Sequence, residues 1–135
     1  NRTVLLMRDA IQGDIPENGI NTGEMNENSI IQYWKANPPQ GDYHLFSNYQ
    51  ALAAFHAQHN ANASPRKSPV YGDEVYPLED YVGYLFPDEK AVYLLWIEPN
   101  AYEHVYLPNE FALIAEFEVV IENEDGGIYQ LRPIR

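Results

Sequence analysis

The chain has 135 residues, 45% of them hydrophobic, with 11 Tyr, 5 Phe and no Cys. That length suits one domain, and that apolar share is enough for a packed core, so residues 1–135 are expected to form a single α+β domain rather than a disordered chain. Twenty acids against eight bases give a net charge of −12, which makes nucleic acid and anionic membrane poor partners.

The charge is uneven. Residues 1–70 carry 6 acids and 5 bases, whereas residues 71–135 carry 14 acids and 3 bases. The absence of Cys excludes disulfides, thiolate catalysis and cysteine-based zinc sites. No apolar run approaches the ~20 residues of a membrane-spanning helix. The chain opens on Asn1 and enters an apolar run at once, which reads as a trimmed product or an excised domain.

In chain order, Thr3–Met7 is short, β-rich and followed by the turn residues Gly13-Asp14-Ile15-Pro16, so a first strand is expected there. Turns follow at Asn18-Gly19 and Thr22-Gly23. Asn28 or Ser29 is placed to cap a helix with Ile30, Ile31, Tyr33 and Trp34 on its apolar face. Asn37-Pro38-Pro39 ends that helix, because proline lacks the N–H and disfavours helix in the residue before it.

Tyr43–Phe46 reads as a strand, and Ser47 or Asn48 as the cap of a second helix. The inner stripe of that helix is Tyr49, Leu52, Ala53 and Phe55 or His56. Residues 60–75 turn to Asn, Ser, Pro and Gly, which predicts a long loop or lid. Pro77–Phe86 suits a short helix with Leu78, Tyr81, Val82 and Leu85 inward.

Ala91–Ile97 is nearly all apolar, so it is expected to be a central strand covered on both faces. Residues 110–121 alternate, with Phe111, Leu113, Ala115, Phe117, Val119 and Ile121 on one face and Glu116, Glu118 and Glu122 on the other. Asp125-Gly126-Gly127 marks a hairpin before a last strand at Ile128–Leu131. The whole reads as a mixed or mostly antiparallel sheet with two to three helices packed on it.

Three residues draw attention as chemistry. Arg8 ends an apolar strand, where a guanidinium either meets solvent or faces a cleft. Ser47 lies at a strand-to-helix junction, where a hydroxyl caps the helix or meets a polar ligand. Glu110 opens an apolar stretch after Pro108, where a carboxylate can stabilise positive charge. His56 and His59 have no nearby carboxylate to complete a metal set, so no metal is expected. Glycine-rich dinucleotide, phosphate-loop and nucleophile-elbow motifs are missing.

Taken in order, Val4-Leu5-Leu6-Met7-Arg8-Asp9, Phe46-Ser47-Asn48 and Glu110-Phe111-Ala112-Leu113-Ile114 resemble the arginine–serine–glutamate class of ADP-ribosyltransferases. That class includes the catalytic chains of pertussis-like and cholera-like toxins. The closing hairpin at Gly126-Gly127-Ile128-Tyr129 is similar to the family's ending. An alternative alignment makes Glu116-Phe117-Glu118 the Glu-x-Glu pair, with Glu118 catalytic. Pro108 stands where the family usually has Glu or Gln.

The resemblance implies NAD as substrate and a mono-ADP-ribosyltransferase of toxin or effector type, acting on a protein acceptor. It implies a secreted or delivered protein, with the cytoplasm as the other location. In that reading Glu110 (or Glu118) would steady the oxocarbenium-like cation, and Arg8 and Ser47 would hold NAD. Phe46 or Tyr49 would stack on nicotinamide. The competing reading rests on charge alone: a small acidic immunity or inhibitor protein that binds a basic toxin or nuclease. It expects an acidic face built from Asp73, Glu74, Glu79, Asp80, Asp88 and Glu89.

Overall fold

Seven successive residues, Ala91–Ile97, settle the architecture, because their side chains point alternately into two separate cores. A computed structural model describes residues 28–68 and 74–134 of the chain. Thr3–Met7, the turns before residue 27, Arg8 and Asp73 lie outside the described residues.

The elements are α1 (Ser29–Ala36), β1 (Tyr43–Ser47), α2 (Gln50–Ala57) and β2 (Asn62–Ala63). A 3-10 turn (Leu78–Tyr81) runs into α3 (Val82–Leu85). β3 (Ala91–Ile97) follows, then a second 3-10 segment (Pro108–Leu113), β4 (Ala115–Asn123) and β5 (Gly126–Pro133). The described strands form one five-stranded mixed sheet in the order β2-β1-β3-β5-β4. β1 runs parallel to β2 and β3, and β5 is antiparallel to both β3 and β4. The domain is therefore α+β with a mixed sheet.

One face of the sheet carries Leu45, Leu95, Ile97 and Ile128 against Ile30, Ile31 and Trp34 of α1 and Leu52 and Ala53 of α2. The other carries Phe46, Leu94, Trp96, Tyr129 and Leu131 against Leu78, Leu85 and Phe111. β3 is thus covered on both sides, as its unbroken apolar run predicts. Each large side chain removed from water there contributes about 1.5–3 kcal/mol.

Local chemistry explains the helix ends. Asn28 caps α1, its side-chain oxygen accepting from the Ile30 and Ile31 N–H groups at 2.9 and 3.2 Å. The Ser29 N–H and hydroxyl both donate to the Asp125 carboxylate, which fastens α1 to the β4–β5 turn. α1 stops at Ala36, before the two prolines. In α2 the buried positions are Leu52, Ala53 and His56, continuing the i, i+3, i+4, i+7 stripe from Tyr49, while Phe55 is 63% exposed.

Several expectations are corrected. The segment after Asn60 is not wholly loop: β2 extends the sheet beside β1, and Arg66 bridges to Val105. Val82 is exposed rather than inward, because the helix begins with a 3-10 turn whose tighter winding shifts the phase. Pro108–Leu113 is a 3-10 segment rather than the start of a strand, which leaves Leu113 79% exposed. Ile121 does not share a face with Phe117, because a bulge between Val119 and Ile121 inverts the alternation.

Candidate functional site

The bulge in β4 builds the site. Before it, Phe117 lies over Tyr129 with ring centroids 4.9 Å apart, and Glu116 and Glu118 point away from that core. After it, Ile121 pairs with Ile128 and Glu122 with Gly127, whose other neighbour is Trp96. Trp96, Gly127 and Glu122 thus form a cross-strand row on the Tyr129 face. Gly127 has no side chain, so the Tyr129 phenol lies across it; a Cβ there would overlap the hydroxyl. The hydroxyl donates to Glu122 Oε2 at 2.7 Å.

A second carboxylate is held nearby. Trp96 Nε1–H donates to Glu98 Oε2 at 2.9 Å, and the Asn100 N–H donates to Oε1 at 3.1 Å. Trp96 and Tyr129 are buried, so two aromatic donors in the core each hold a surface carboxylate. Leu107 and Pro108 form the facing wall, and Asn109 and Asn123 complete a cleft of about 270 Å³.

The electrostatics of the row follow from its geometry. The Tyr129 phenol is held far above its ordinary pKa of 10.0, first by burial, then by its bond to Glu122 and the charges of Glu122 and Glu98. The ion pairs among the described residues are His44–Asp88, Lys67–Glu110 and Arg132–Glu118, none of which involves a cleft carboxylate. Asp88 lies below the usual carboxylate range because the Lys90 N–H and His44 donate to it. No group of three or more His, Asp or Glu placed to hold a metal occurs among the described residues.

Of the residues singled out from sequence, those that are described line other parts of the fold. Ser47 is 1% exposed, and its hydroxyl accepts from the Tyr49 N–H at 3.0 Å. Strand alternation puts it on the α1–α2 side with Leu45. Tyr49 is buried on that side, with its hydroxyl donating to the Pro99 carbonyl at 2.6 Å, while Phe46 is buried in the opposite layer. Glu110 belongs to the 3-10 segment of that opposite layer. Its carboxylate accepts from the Leu107 N–H at 2.9 Å and lies 3.6 Å from Lys67 Nζ. Ser47 and Glu110 are therefore placed in different layers with different partners. Glu116 and Glu118 are exposed on β4, and Glu118 pairs with Arg132 at 2.9 Å. Arg8 lies outside the described residues.

Sequence reasoning missed Glu98 and Glu122. Strict alternation groups Glu122 with the solvated face of Glu116 and Glu118. The signal against that grouping is the run Val119-Val120-Ile121, three apolar residues where alternation demands a polar one.

The fold and cleft define an α+β domain with a mixed sheet and an acid-lined hollow at one end of it. Compared with known proteins, the chain matches no family model, and neither a curated protein nor a solved structure matches it significantly.

Proposed function

We propose that this domain is a protein-binding module whose acidic surface engages a basic partner. The observation that carries this reading is the excess of negative charge in the second half. Glu79, Asp80, Glu89, Glu116 and Glu122 are all exposed, and residues 71–135 hold only 3 bases against 14 acids. Exposed charge of one sign steers an oppositely charged protein and discriminates against acidic ones. An immunity or inhibitor protein directed at a basic toxin or nuclease fits that chemistry.

The test is calorimetric titration of the chain with a deca-arginine peptide at 150 mM salt. One-to-one binding is expected, weakened about tenfold when Glu79, Asp80, Asp88 and Glu89 are all changed to Lys. Binding without a fixed stoichiometry, or binding unchanged by that reversal, overturns the reading.

A second reading is the ADP-ribosyltransferase one, with NAD as substrate. What favours it is the Glu116-Phe117-Glu118 stretch, whose two carboxylates are exposed on a strand that enters the C-terminal hairpin. An NAD-glycohydrolase assay of the wild type beside Glu118→Gln and Glu110→Gln tests it. Activity abolished by one of these changes supports the reading, whereas no activity in any of the three removes it.

A further inference from the structure

We propose that the cleft between residues 107–109 and the β4–β5 hairpin receives an arginine side chain of the partner. This inference rests on the reading of the domain as a binder of basic proteins, and it names the group that the cleft takes.

Three observations converge on a guanidinium. First, the carboxylates are oriented in advance. Glu98 has both oxygens engaged, by the Trp96 Nε1–H and the Asn100 N–H, and Glu122 is anchored through Oε2 to the Tyr129 hydroxyl. Oε1 of Glu122 accepts from none of the described residues. A cation entering a hollow lined by two carboxylates is attracted to both. Fixed carboxylates suit the planar fork of arginine, which donates several N–H groups in set directions.

Second, the wall opposite is apolar. Leu107 is 47% exposed beside Pro108, an aliphatic surface on the rim of the hollow. An arginine stem laid along it would bury its methylenes while the head reaches the acids. Third, at about 270 Å³ the hollow falls just below the range of roughly 300–1,000 Å³ usual for small-molecule sites. It suits one side chain better than a dinucleotide.

The bulge and Gly127 serve this arrangement directly. Without the inserted residue in β4, Glu122 would face the other side of the sheet. With a side chain at position 127, Tyr129 could not cross the row to reach it.

The experiment follows the indole N–H signal of Trp96 by proton–nitrogen correlation NMR of the full chain. Trp34→Phe assigns the two tryptophan signals. N-acetyl-arginine amide is the probe, the neutral N-acetyl-citrulline amide its control, and calcium chloride a third titrant. A saturable Trp96 shift is expected with the arginine compound alone, with the dissociation constant raised at least fivefold by Glu122→Gln and unchanged by Glu118→Gln. Equal shifts with the citrulline compound, a shift with calcium only, or equal weakening by the two variants overturns the proposal. Deca-arginine binding that Glu122→Gln leaves untouched removes the cleft but spares the acidic-surface reading. Saturation by the small probe without any deca-arginine binding removes the surface reading but spares the cleft as an arginine site.

Discussion

Asn48 and Ile97 are joined by a reciprocal pair of hydrogen bonds: Nδ2 of Asn48 donates to the Ile97 carbonyl, and Oδ1 accepts from the Ile97 N–H, both at 2.9 Å. The amide side chain imitates a peptide group and continues the β1–β3 ladder past its last paired residues, Ser47 and Leu95. Asn48 is buried, so nothing in solvent can replace it.

Asn48→Ala is therefore expected to destabilise the domain by about 3 kcal/mol, since it leaves two buried backbone groups unpaired at about 1–3 kcal/mol each. Asn48→Asp should cost nearly as much, because it keeps the acceptor and loses the donor. Urea unfolding followed by tryptophan fluorescence measures both. A loss below about 0.5 kcal/mol for Asn48→Ala would mean the pair does not close the sheet.

Gly127→Ala tests the cross-strand row. The added methyl would overlap the Tyr129 hydroxyl, so the ring must move away from Glu122 and from its stacking on Phe117. Forced repacking of this kind costs about 1–3 kcal/mol. Tyr129→Phe keeps the ring and removes only the hydroxyl bond, which should cost about 1 kcal/mol. Gly127→Ala should exceed Tyr129→Phe in denaturant unfolding; the reverse order would mean that the methyl is accommodated without moving the ring.

His56 sets an acid limit on stability. It is buried at the inner stripe of α2, and neither ring nitrogen has a hydrogen-bond partner among the described residues. Its pKa is lowered from 6.5, first by burial and then by the positive charge of Lys35. The unfolded chain takes up the proton near 6.5, whereas the folded one does so only at lower pH. Below 6.5 the unfolded state binds more protons, so this contribution is complete above 6.5 and is lost as pH falls through the folded value. His56→Leu should flatten the decline in unfolding midpoint between pH 7 and pH 5. A wild-type decline that the variant reproduces in full would assign it to other groups.

Much of the domain was legible in its sequence for local reasons. The cap at Asn28, the stop before Pro38, the strand Ala91–Ile97 and a hairpin at Asp125 each follow from backbone chemistry within a few residues, although the turn falls on Glu124-Asp125 and Gly126 and Gly127 already pair in β5. Such signals act through fixed φ, missing N–H groups or uninterrupted apolarity, so they survive without knowledge of neighbours. The α+β class follows from them. Phase within an element was harder to read, because one inserted residue in β4 or one 3-10 turn before α3 inverts or rotates every side chain beyond it.

The tertiary structure alone decided which polar groups meet. Trp96 with Glu98 is a short-range pair, but Glu122 reaches Tyr129 only because two strands align across a glycine. Ser47 at a strand-to-helix junction and Glu110 after Pro108 each suit chemistry as isolated residues, and strand alternation and the 3-10 segment place them in different layers. Residue type and spacing along the chain determine what a segment becomes, because those forces are local. Strand register and layering determine what a side chain faces, because a shift of one residue exchanges core for solvent.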